Sequence, residues 1–168
     1  PVSIFHTYSI NLEQFNSWNF GGTYLGSGGH LSVNTEFVNN FSLSTNLIFH
    51  SKATDPRKLR GGPEMMMPYT MMTFGKAKTD PSKKLILELG YSYEFSGNRS
   101  ARSYQLEPGI SFRPLNSLKI GVTANYNGNH DELQYITMRD LGILGQRFIL
   151  GTIDQKTLGL TFRADLNL

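Results

Sequence analysis

Four histidines, no cysteine and 13 carboxylates are what this 168-residue chain offers for catalysis or metal binding. Without cysteine, neither a disulfide nor a thiolate metal site can form. His6, His30, His50 and His130 are scattered along the chain, and none sits in a recognisable nucleophile-and-base grouping. His130, Asp131 and Glu132 are consecutive and could ligate a cation from a turn, although three such residues are more often simply solvated. Gly26, Ser27, Gly28 and Gly29 are not a phosphate loop, since no Lys-Ser/Thr pair and no helix follow. Asn98, Arg99 and Ser100 match a glycosylation acceptor, a pattern frequent by chance. The expectation is a protein that is not an enzyme, with no cofactor and no metal.

The remaining chemistry is binding by fixed charge. Arg57, Lys58 and Arg60 lead into Gly61, Gly62 and Pro63, then into Met65, Met66 and Met67. Arginine and lysine suit phosphates of a membrane lipid or an acidic ligand, and methionines make an adaptable contact patch. Against this stands a plain connector entering a strand. A Gly-Gly-Pro turn is a restrictive backbone for a loop without a task, and both readings stay open. A second charged set, Glu36, Glu88, Glu94, Glu107, Lys119, Arg163 and Asp165, alternates with apolar residues.

That alternation defines the elements. Leu158, Leu160, Phe162, Ala164, Leu166 and Leu168 are separated by Gly159, Thr161, Arg163, Asp165 and Asn167. On a strand these two sets face opposite ways. The same period recurs around Val2 to Leu12, Leu31 to Phe37, Phe41 to Phe49, Leu85 to Phe95, Tyr104 to Phe112 and Leu118 to Tyr126. The segment 69–78 is ambiguous. A strand crosses a bilayer in roughly 9–11 residues, which most of these segments reach. The pattern predicts an all-β fold: a transmembrane antiparallel up-and-down β-barrel of about eight strands, lined by the second charged set.

Composition agrees. Hydrophobic residues are 39% of the chain, with 17 Gly, 11 Phe and 8 Tyr. Mean hydropathy is −0.30, which a polar-lined barrel tolerates. No run approaches the ~20 apolar residues of a membrane helix. The net charge of +3 is spread over turns and lumen positions, so no nucleic-acid partner is expected. Short turns are predicted at 38–40, 79–83 and 113–117, with long connections at 21–29, 53–68, 96–102 and 140–146. The strand starting at Leu118 is expected to overshoot through Gln134, Tyr135 and Ile136, and the last strand to begin near Arg147. Phe37, Phe41 and Phe112 would form one aromatic girdle, and Tyr91, Tyr93, Phe95, Tyr104 and Tyr126 the other. A soluble β-sandwich alternates too, but in shorter and less evenly spaced strands.

Several blocks in order carry a family resemblance: Trp18, Asn19 and Phe20; Arg60 to Pro63; Lys83, Lys84 and Leu85; Tyr104 to Pro108; Phe112, Arg113 and Pro114; Tyr135, Ile136 and Thr137; Ile153 to Leu158. The chain resembles the C-terminal barrel of DUF5916 domain-containing proteins of Bacteroidota. Such proteins carry an N-terminal carbohydrate-binding-like domain of the family 9 type. The resemblance implies that residues 1–168 are one outer-membrane barrel segment, a fragment of a longer chain with a larger barrel, in the outer membrane of a Gram-negative cell. Two function classes follow. One is a transport conduit linked to glycan handling. The other is a non-conducting scaffold that docks outer-membrane proteins or lipoproteins. A soluble sandwich binding module ranks below both. Outer-membrane lipid is the expected partner in either membrane reading, and glycans in the first.

Overall fold

The computed structural model describes residues 4–166. Ten strands follow in chain order: β1 (Phe5–Trp18), β2 (Tyr24–Phe37), β3 (Ser42–His50), β4 (Ala53–Asp55), β5 (Met65–Met67), β6 (Thr70–Lys78), β7 (Leu85–Ser96), β8 (Ala101–Leu115), β9 (Leu118–Asp140) and β10 (Gln146–Leu166). Eight form one antiparallel sheet in the order β1-β2-β3-β6-β7-β8-β9-β10, and β4 pairs with β5 alone. Each long strand lies beside the next long strand in sequence, as short turns dictate. The sheet is open: β1 and β10 are its edges, and no closed barrel forms among the described residues. Val2, Asn167 and Leu168, assigned to alternating segments above, lie outside the described residues.

Register turns the sequence alternation into two faces. Ile10, Val33, Thr45, Gly75, Tyr91, Leu106, Tyr126 and Leu158 are successive cross-strand partners across all eight strands. One residue along, Ser9, Asn34, Ser44, Lys76, Gly90 and Glu107 form a polar row. Directly opposed residues share a face, so one side of the sheet is mainly apolar, over a central band, and the other mainly polar.

Among the described residues nothing covers the apolar side. Leu59 and Ile86 are the only buried apolar residues among those described, while Leu12, Leu87, Leu158, Leu160 and Phe162 are exposed. The exposed area is 11977 Å², against about 8,300 Å² for a globular monomer of 18.9 kDa. A sandwich needs a second apolar layer about 10 Å away, and none is present among the described residues.

Three local readings change. Residues 21–29 are not a long loop: Asn19 to Thr23 close a tight turn, with Asn19 N–H donating to the Thr23 carbonyl at 2.9 Å and Thr23 N–H to the Asn19 side chain at 2.8 Å. The glycines beyond it belong to β2, because the Phe15 ring lies where a Cβ on Gly28 would stand. The aromatic supplies the packing that the glycine lacks. Gly75 under Tyr91 and Gly128 under Tyr104 repeat the device. The ambiguous segment is a full strand, β6, held between β3 and β7. The turn after β8 is shorter than 113–117, since Leu115 already pairs with Leu118.

Candidate functional site: a polar face beneath a docked loop

The seven charged residues Glu36, Glu88, Glu94, Glu107, Lys119, Arg163 and Asp165 all fall on the polar face, as the register requires. They do not form a single network. Glu88 accepts from Lys76 Nζ at 2.6 Å and Lys78 Nζ at 2.8 Å. Lys78 is its direct cross-strand partner and Lys76 a diagonal one, both within reach on an antiparallel pair. Glu107 accepts from Gln105 Nε2 and Asn125 Nδ2, each at 3.2 Å, and Asn127 Nδ2 donates to Asn125 Oδ1 at 3.2 Å. Arg163 Nε donates to both Asp165 oxygens, at 2.7 and 3.0 Å, although Lys119 is the residue opposite Asp165. Glu36 shares a cleft with Lys76 and Lys78. Glu94 lies opposite Met72 and Ser103. The list from sequence missed Lys76 and Lys78. Their two-residue spacing was the available signal, but it needed the register of β6 against β7 to acquire meaning.

Toward the end where β9 and β10 overshoot, the connection 53–68 crosses this face. β8 begins at Ala101, opposite Asp131, whereas β9 continues to Asp140 and pairs there with Gln146 of β10. The hairpin therefore projects nine residues, about 30 Å along the strand at ~3.3 Å per residue. The connection arises between β3 and β6 yet reaches β9, three strands from β6. Lys58 Nζ lies 3.8 Å from the Asp131 carboxylate. The Arg60 guanidinium sits over the Tyr135 ring, 5.5 Å from its centroid. The Phe148 ring presses on Gly62, leaving no room for a Cβ. Leu59 is buried between these anchors.

The loop's own geometry prepares the docking. Asp55 Oδ1 accepts from Arg57 N–H at 2.8 Å, and Arg60 and Gly62 N–H groups donate to the Arg57 and Leu59 carbonyls. Arg60 has φ 49° and Gly61 φ 98°. The left-handed region costs a non-glycine residue energy, which here accompanies the Arg60–Tyr135 stack. Lys58, not Arg60, makes the carboxylate contact: the turn carries Arg60 onto an aromatic face instead. Arg57 and Pro63 are exposed.

The triplet His130, Asp131 and Glu132 does not converge. On an extended strand neighbours point apart: Asp131 meets Lys58, whereas His130 meets Asp154 at 3.0 Å through Nδ1 and Glu132 at 3.5 Å through Nε2. The Asp154 hydrogen bond, with help from Glu132, raises the His130 imidazole above its ordinary pKa. Among the described residues there is no cluster of three or more metal-ligating side chains.

These features define an all-β protein built on one eight-stranded meander with an apolar and a polar face. The chain belongs to the DUF5916 family, a domain of unknown function whose model matches residues 1–168. No curated protein and no solved structure gives a match.

Proposed function

We propose that the eight strands are part of the wall of an outer-membrane β-barrel, with the apolar face against lipid and the polar face lining a hydrophilic conduit. The observation that carries this reading is the uncovered apolar face, continuous over eight strands. Its height fits. From Leu118 to Tyr126 on β9 is about 26 Å along the strand. A tilt of roughly 40° brings that to about 20 Å, near the ~25 Å band of outer-membrane barrels. Tyr93, Tyr104 and Tyr126 end the band, with Lys156 in the row of Tyr104 and Arg102, His130 and Asp154 in the row beyond on the same face. Phe5, Phe37 and Phe41 pack together at the opposite end, with ring centroids 5.4 and 5.7 Å apart. Aromatic residues at both ends, with charge beyond them at the tyrosine end, are what a membrane interface selects.

A single open sheet cannot stay in hydrocarbon, because its edge N–H and C=O groups would go unsatisfied. In this reading β1 and β10 are joined by further strands. The polar face, rich in Asn, Gln, Ser, Thr and half-buried ion pairs, suits a hydrated, hydroxyl-rich cargo such as a glycan. The projecting hairpin favours a second reading, a scaffold that docks another outer-membrane protein or lipoprotein. Planar-bilayer recording of the full-length protein tests the first: stepwise conductance is expected. A reconstituted, folded protein that never conducts would favour the scaffold.

A further inference from the structure

We propose that the rim of the apolar face carries a site for the phosphate head group of an anionic membrane lipid, formed by Arg99, Arg102 and His130 above a floor of Tyr93 and Phe95. It rests on the reading of the apolar face as lipid-facing and adds a specific ligand class to it. The residues line one cleft of about 500 Å³. Phe95, Arg102 and His130 are successive cross-strand partners on β7, β8 and β9, so all three project from the apolar side of the sheet. Tyr93 packs on Phe95 with ring centroids 6.1 Å apart. Below the cleft come Tyr104 and Tyr126 and then the apolar band. An amphiphile seated there would set its chains on apolar side chains and its head among cations.

Two of the cations, Arg99 and Arg102, are available, whereas His130 is engaged and Glu132 also lines the cleft. The carboxylates of Glu132 and Asp154 both reach His130. Among the described residues neither Arg99 nor Arg102 has a carboxylate within 4.0 Å. Arginine matches a phosphate through parallel N–H donors, which a lysine cannot reproduce. The turn holding Arg99 is fixed in an uncommon shape. Asn98 and Arg99 have φ 60° and 57°, which costs energy at two successive non-glycine residues. The hydroxyls of Ser96 and Ser100 bond at 2.9 Å beneath the turn, and Gly97 N–H donates to the Tyr69 carbonyl at 2.8 Å. Tyr69 and Pro68 leave no space for a side chain on Gly97. The turn is thus locked with Arg99 at the cleft. The aromatic floor and its continuity with the apolar band select a lipid phosphate over a free anion.

The test is native mass spectrometry of the full-length protein in detergent, loaded with phosphatidic acid or with phosphatidylcholine of the same chains. One phosphatidic acid per chain is expected, preferred at least 10-fold. Arg99→Ala with Arg102→Ala should abolish the preference, Arg102→Gln alone should reduce it several-fold, and Lys84→Ala, at an exposed position outside the cleft, should leave it intact. Millimolar inorganic phosphate should not compete. Unchanged preference in both rim variants overturns the site, and full competition by inorganic phosphate overturns the lipid assignment. Flotation of the same preparation with vesicles separates the two levels. Protein that inserts without discriminating head groups sinks only the site, whereas protein that does not insert sinks the lipid-facing reading as well.

Discussion

At the scale of single residues, the period of two makes opposite predictions for neighbours. Leu160 and Thr161 are adjacent on β10, pairing with Ala124 and Thr123. If Leu160 faces hydrocarbon, Leu160→Arg should cost about 2–4 kcal/mol near the midplane, and Thr161→Arg far less. Urea unfolding of the reconstituted protein measures both, and equal losses would refute the face assignment. His130 makes a second prediction. Its pKa lies above the ordinary 6.5, chiefly through Asp154. A raised folded pKa stabilises below the unfolded value, and that contribution fades as pH rises through the folded value. Asp154→Asn should therefore move the imidazole titration, followed by NMR, to lower pH. A titration that stays put would mean that the contact does not hold in solution.

At the scale of elements, strands were legible and docking was not. Alternation around Leu85 to Phe95 and Leu118 to Tyr126 is local, so it survives without knowledge of partners; the overshoot of β9 was legible only from Gln134 to Ile136, because Asn127, Gly128, Asn129 and Asp131 read as a turn although they pair with β10. The glycines of β2 read as loop because the ring that covers Gly28 comes from Phe15, in another strand. Likewise the meeting of Lys58, Arg60 and Gly62 with Asp131, Tyr135 and Phe148 depends on contacts far apart in sequence. Arg60 meets the aromatic face of Tyr135 rather than a carboxylate, and such a partner leaves no sequence spacing to read. Since no Cβ fits at Gly62, Gly62→Val should undock the loop. Tyr135→Ala should loosen it, as a cation–π contact is worth about 0.5–2 kcal/mol. Limited proteolysis within residues 53–68 should accelerate in both variants. Unchanged cleavage would make the connection a passive linker.

At the scale of the whole molecule, the described residues of the sheet enclose no extended apolar core. The sequence carried the two faces, because each strand encodes its own alternation. It did not carry closure, which depends on what pairs with β1 and β10. The account predicts that residues 1–168 expressed alone do not give a heat-modifiable, protease-resistant species in detergent, since both edges would remain open. A folded monomer on a semi-native gel would mean that the eight strands close on themselves.

The central claim is that one face meets lipid and the other water, and β10 is where it can be measured most directly. Residues 1–168 contain no cysteine, so once any cysteine elsewhere in the full-length protein is replaced, single cysteines at positions 157 to 164 can carry a nitroxide in liposomes. Collision with oxygen should peak at 158, 160, 162 and 164, and collision with a water-soluble nickel chelate at 157, 159, 161 and 163. Even positions shielded from both reagents, as in a sandwich core, or equal access along the whole strand, would contradict the account.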